Sequence, residues 1–190
     1  MPKPKGKAPR LPSPEVARSQ YRFVIPTIAG IFVPRMNSPI EPLQRAVLFQ
    51  GLKPAALELL MAIATEEKHA KGNFLFRQGD SGESLYLVLE GKIRISRNVG
   101  GMGEEALAIL GPGEVFGEMA LLDESPRSAD AIVHETCRLL AIPKDAFDDL
   151  LFTRKDLAFE VLWGFVRLLS SRLRETNDKL TFLSVSGRFG

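Results

Sequence analysis

Gly111-Pro112-Gly113-Glu114-Val115-Phe116-Gly117-Glu118-Met119-Ala120-Leu121-Leu122-Asp123-Glu124-Ser125-Pro126-Arg127-Ser128-Ala129-Asp130-Ala131 gathers glycines, a carboxylate and an arginine into one short segment. Three glycines before Glu118 let the backbone approach a ligand or take a positive φ. Met119-Ala120-Leu121-Leu122 has the composition of one helical turn, whose free N–H groups would face whatever sits beside Glu118. Pro126 restrains the backbone before Arg127, whose planar fork can hold two phosphate oxygens. Glu118 suits a sugar hydroxyl instead, because a carboxylate accepts hydrogen bonds and repels an anion. Together the two describe a ligand with one anionic group and a nearby ribose hydroxyl. A mere surface ion pair between them, worth ~0–1 kcal/mol, would explain neither the glycines nor the proline.

The order Phe-Gly-Glu-x-Ala-Leu-Leu followed by Pro-Arg-Ser-Ala resembles the phosphate-binding cassette of the cyclic nucleotide-binding domain family. That family includes the bacterial catabolite activator, the regulatory subunits of protein kinase A and cyclic-nucleotide-gated channels. The resemblance implies that Glu118 holds the ribose 2′-hydroxyl and Arg127 the cyclic phosphate. It also implies that the backbone of Gly117, Ala120, Ser128 and Ala129 completes a cradle flanked by Phe116, Met119 and Pro126. The implied fold is mainly β with flanking α: an eight-stranded β-roll (a double-stranded, jelly-roll-like β-helix) with N-terminal helices and a long C-terminal helix.

The 190 residues are enough for one domain with appendages but not for two ordinary domains. The expected division is a Pro-rich basic extension at 1–37, the domain with its helices at 38–183, and a short tail at 184–190. Nine of thirteen prolines lie in residues 1–42, which carry seven Lys/Arg against Glu15 and Glu41. The charge is therefore +5 there and −3 over 43–190. A mildly acidic domain argues against a nucleic-acid-binding face. The lone Cys137 allows no intramolecular disulfide and has the strand-like neighbours of a small buried residue. No stretch approaches the ~20 apolar residues of a membrane helix, and a cytoplasmic location is expected. The apolar run 21–33 should pack on the domain or on a second subunit.

Ser38-Pro39-Ile40-Glu41 reads as a capped start for a helix to about Val47, followed by a break at Leu48–Leu52 and a second helix at Pro54–Ile63. The pattern then changes to period two. Short strands are expected at 73–76, Leu85–Leu89, Ile93–Ile95, Ala106–Leu110, Ala131–Glu135 and Cys137–Ile142, with a break at Gly91 and a hairpin at 100–103. Asp156 to about Leu180 reads as one helix with a near-heptad seam of Leu162, Val166, Leu169, Leu173 and Leu180, able to pack on the roll or pair with a second copy. In domains similar to this one the helix closes over the base. Leu169, Leu173, Arg172, Arg174 and Asn177 are candidates here, and the seam favours Leu173.

His69 and His134 are the only histidines and there is no His-x-His, so neither a cupin-type metal site nor any other is expected. No Gly-x-Ser-x-Gly elbow occurs, and no catalysis is expected. The chain stops about ten residues after the long helix, so no helix-turn-helix reader of DNA is expected. The resulting expectation is a non-enzymatic sensor of a cyclic mononucleotide, cAMP favoured over cGMP. It would signal by helix movement to an unidentified protein partner, with a homodimer through the C-terminal helix as an option. The alternative is a ligand-free interaction scaffold.

Overall fold

The computed structural model describes residues 40–99 and 103–186. The basic extension 1–37 with its apolar run 21–33, the Ser38-Pro39 cap, the hairpin tip 100–102 and the end of the tail at 187–190 lie outside the described residues. In chain order the elements are α1 (Glu41–Arg45), a 3₁₀ turn (Val47–Phe49), α2 (Pro54–Ile63), β1 (Thr65–His69), β2 (Phe74–Phe76), β3 (Ser84–Val99), β4 (Gly103–Leu110), β5 (Val115–Phe116), α3 (Met119–Leu122), β6 (Asp130–Pro143), α4 (Lys144–Thr153) and α5 (Lys155–Ser186).

The sheet is antiparallel throughout and is built on the long β3–β6 ladder, whose register slips three times between Val88 and Ile93. On one side of the slips, Ser84–Val88 pairs with Leu139–Pro143, and this pair is flanked by β5 and β1. On the other, Ile93–Ser96 pairs with Asp130–Val133, flanked by β4 and β2. The two long strands thus supply two segments each, and six continuous strands make the eight segments of a β-roll. The breaks expected at Gly91 and between Glu135 and Cys137 are bends within unbroken strands. Gly91 has φ +79°, and a Cβ there would lie 2.3 Å from the Thr136 carbonyl oxygen, so glycine turns the strand at a point no other residue could fit.

Period-two alternation sends the two faces of β3 into two cores. Val88 and Ile93 join Leu110, Phe116, Ala131, Val133, Cys137 and Leu139 inside the roll. Leu85 and Leu87 join Val115, Leu140 and Ile142 against the helices. There they meet Leu43, Leu48, Phe49, Leu57 and Leu60, and each such fully buried side chain contributes about 1.5–3 kcal/mol. Leu48 and Phe49, expected at a break, are among the most buried residues because the 3₁₀ turn is the seat of α5. Gly164 lets α5 come down on it: a Cβ there would sit 1.8 Å from the Leu48 carbonyl oxygen.

α5 runs from Lys155 to Ser186, longer than expected, and the face it buries is not the expected one. Leu157, Val161, Phe165 and Leu168 enter the core, whereas Leu162, Val166, Leu169, Leu173 and Leu180 are exposed. At roughly 100° per residue the two stripes lie about a third of a turn apart. Helix–core contact claimed the stripe containing the aromatic ring, Phe165, which meets Phe147 of α4 edge to face.

Candidate functional site

β5 is held by pairing of Phe116 with Tyr86 and Val115 with Leu87, and the chain leaves it through Gly117 at φ +78°. This turn brings Glu118 back under the sheet as the residue that starts α3, whose first bonds run from the Leu121 and Leu122 N–H to the Glu118 carbonyl. A Cβ on Gly117 would lie 2.6 Å from Arg127 Nη1, so the glycine also makes room for the guanidinium. Arg127 is fixed from the other side. Its N–H donates to the Asp80 carbonyl and its own carbonyl accepts from Gly79 N–H, which joins it to the β2–β3 turn. Asp130 caps the same turn by accepting from the Gln78 N–H at 2.6 Å.

Glu118 and Arg127 are 1% and 4% exposed, and they do not simply neutralise one another. Arg127 donates from Nη1 to the Gly117 carbonyl and from Nη2 to the Ser84 carbonyl, both at 2.8 Å. Its Nε–H is buried without a partner among the described residues. An orphan donor of this kind costs about 1–3 kcal/mol. Burial pulls the Arg127 pKa below its ordinary value, against the opposing charges of Tyr86 and Glu118. Glu118 accepts a hydrogen bond from Arg172 Nη1 of α5, and Arg172 Nη2 donates to the Val115 carbonyl.

These groups line a cavity of about 430 Å³ between the roll and α5. Phe116, Gly117, Glu118, Met119, Ala120, Arg127, Ser128 and Ala129 all face it. Two expected residues do not. Pro126 is exposed outside the wall, and Leu173, expected over the base, is 61% exposed on the other side of α5. Of the other helix candidates Arg172 lines the cavity and Leu169, Arg174 and Asn177 do not; the roof is made by Arg172 with Leu168, Ser171, Glu175, Thr176 and Lys179. Lys179 Nζ reaches the Leu107 carbonyl of β4 at 3.3 Å, and Ser171 Oγ donates to Glu175 at 3.2 Å. The roof continues the buried stripe Leu157–Val161–Phe165–Leu168 at spacings of three and four. The signal was in the sequence, but there the stripe changes from apolar to polar and the hydrophobic period loses it. Among the described residues no cluster of three or more His, Cys, Asp or Glu could hold a metal, and no helix is long and apolar enough to cross a membrane.

Residues 66–154 match the family model of the cyclic nucleotide-binding domain. A solved structure, the N-terminal domain of a transcriptional regulator from Streptomyces coelicolor, superposes with a TM-score of 0.61 at 34% identity, over 73% of this chain and 94% of that one. This chain belongs to the cyclic nucleotide-binding domain family. Curated members similar to it include the cyclic AMP receptor protein of Thermus thermophilus, 42% identical over 72% of this chain. Another is the CRP-like cAMP-activated global transcriptional regulator of Mycobacterium tuberculosis, 32% identical over 78% of this chain. The chain spans 62% and 66% of the length of these two relatives. The glycine turn at Gly117, the buried carboxylate of Glu118 and the buried Arg127 lie within the matched residues.

Proposed function

We propose that this chain is a non-enzymatic sensor of a cyclic 3′,5′-mononucleotide, binding cAMP in preference to cGMP and passing the binding event to a partner through α5. The observation that carries this reading is that buried Arg127 and buried Glu118, a partner for an anion and a partner for a hydroxyl, line one cavity. Arg127 receives the cyclic phosphate, Glu118 the ribose 2′-hydroxyl, and the backbone from Gly117 to Ala120 and from Ser128 to Ala129 forms the cradle. The preference for cAMP rests on Ser128, since family members selective for cGMP often carry Thr at that place. A margin of about 1–2 kcal/mol corresponds to one or two hydrogen bonds.

Arg172 ties the site to its output. It leans on Glu118 from α5, so a ribose hydroxyl competing for that carboxylate alters how the helix is held, and ligand shifts an equilibrium between tight and loose roofs. The exposed leucine seam of α5 is a surface on which a second copy or another protein would read the shift. The other reading, a scaffold that no longer takes ligand, is favoured by the Glu118–Arg172 pair, which fills the place given to the ribose. Thermal melting with cAMP and cGMP separates the two: ligand at 100 times Kd stabilises by ~2.7 kcal/mol, a rise of several degrees. No rise with either nucleotide at millimolar concentration favours the scaffold. A 2′-deoxy analogue binding as tightly as cAMP removes the role given to Glu118.

A further inference from the structure

Arg127 is a charge placed among rings. Its Cζ lies 4.1 Å from the centroid of Phe76, the last residue of β2, which lines the same cavity. Phe76 belongs to a three-ring platform drawn from three strands. Tyr86 of β3 stacks on Phe116 of β5 at 5.1 Å and 15°, and Phe76 stands 6.1 Å from each. The platform packs on the core inside the roll, so the ring under the guanidinium is itself held in place. The two carbonyl acceptors, Gly117 and Ser84, fix one edge of the guanidinium but leave its plane free to pivot about that edge. A ring against the flat face removes that freedom. Two of the five guanidinium N–H groups are thereby committed to backbone carbonyls.

We propose that Phe76 is a positioning residue for the anion: its π-face holds the plane of Arg127 before ligand arrives and offsets the loss of water around a cation that burial disfavours. This rests on the reading that Arg127 receives the phosphate of a cyclic nucleotide. Pre-orientation of this kind raises affinity because the donor needs no reordering on binding.

The test replaces Phe76 in the full chain by mono-, di- and trifluorophenylalanine, which keep the ring's shape while draining its negative face, with Phe76→Tyr and Phe76→Leu as controls. Calorimetric titration with cAMP should show affinity falling stepwise along the fluorinated series. Phe76→Tyr should bind nearly as wild type, and Phe76→Leu should bind about 5- to 30-fold more weakly. A flat series in a wild type that binds cAMP overturns the proposal. The same series is also melted without nucleotide, in wild type and in Arg127→Met. Fluorination should lower the melting temperature only where the arginine is present, and equal lowering in both backgrounds overturns the contact itself. A wild type that binds neither cAMP nor cGMP while the melting series still depends on Arg127 overturns the functional reading and leaves the ring–cation contact standing.

Discussion

Arg172→Gln is the perturbation that most directly tests how α5 is fastened to the site. The Glu118 side chain is 2% exposed and that of Arg172 34%, so removing the arginine strands a buried carboxylate and also takes a donor from the Val115 carbonyl. Breaking a fully buried pair from one side costs about 3–5 kcal/mol. Arg172 is a third exposed and water can reach the gap, which brings the expectation down to about 1–3 kcal/mol. For a domain of this size that is a fall of roughly 3–10 °C in melting temperature. Glu118→Gln keeps the shape of the carboxylate and leaves Arg172 free to turn to solvent, so it should cost less. The double variant should then be no worse than Arg172→Gln alone, giving a coupling across the pair at least as large as the cost of Glu118→Gln by itself. Differential scanning calorimetry of the four proteins without nucleotide closes the cycle. If the two single effects simply add, Arg172 does not act through Glu118, and the route from cavity to helix must be sought in the Lys179–Leu107 contact or in α1 and α2.

Arg127→Ala removes a charge-assisted contact of ~1.5–3 kcal/mol and should weaken cAMP binding about 10- to 150-fold by calorimetry, with Arg127→Lys recovering only part; unchanged titration ends the phosphate assignment. Gly164→Ala drives a methyl group into the Leu48 carbonyl and should lower the melting temperature by several degrees, since the neighbour is backbone and cannot step aside; a neutral effect would mean that α5 is not seated on the 3₁₀ turn. Burial raises the Cys137 thiol pKa above its ordinary value, so the thiolate is scarce in the folded protein at pH 8, and alkylation should be slow until denaturant unfolds the domain. Rapid labelling under native conditions would contradict its place inside the roll. Hydrogen exchange in residues 170–180 should slow on adding cAMP, and equal exchange with and without it would make α5 a packing element only.

The convergence of Glu118 and Arg127 on one cavity could be read along the chain because its determinants are local. Gly117 supplies a positive φ, Glu118 and Arg127 are chemically distinct, and a few residues separate them, so their meeting needs one turn and one short helix. The two-layered roll could be read for a similar reason, since period-two alternation reports burial whichever strand becomes the neighbour. Strand continuity could not. Whether Gly91 ends a strand or bends it depends on the Thr136 and Cys137 backbone lying against it across the ladder, 45 and 46 residues further on.

α5 marks the boundary most sharply. Leu162–Val166–Leu169–Leu173–Leu180 and Leu157–Val161–Phe165–Leu168 both satisfy helical periodicity, and nothing local ranks one above the other. The choice was made by contacts distant in sequence: the Leu48 carbonyl that only Gly164 can meet, the Phe147 ring against Phe165, and the buried Glu118 that draws Arg172 inward. Apolar period marks faces that leave water, but the roof of a polar cavity leaves water while carrying charge. Arg172 was among the candidates legible in the sequence, whereas Glu175 and Lys179 were assigned to the cavity by tertiary packing alone.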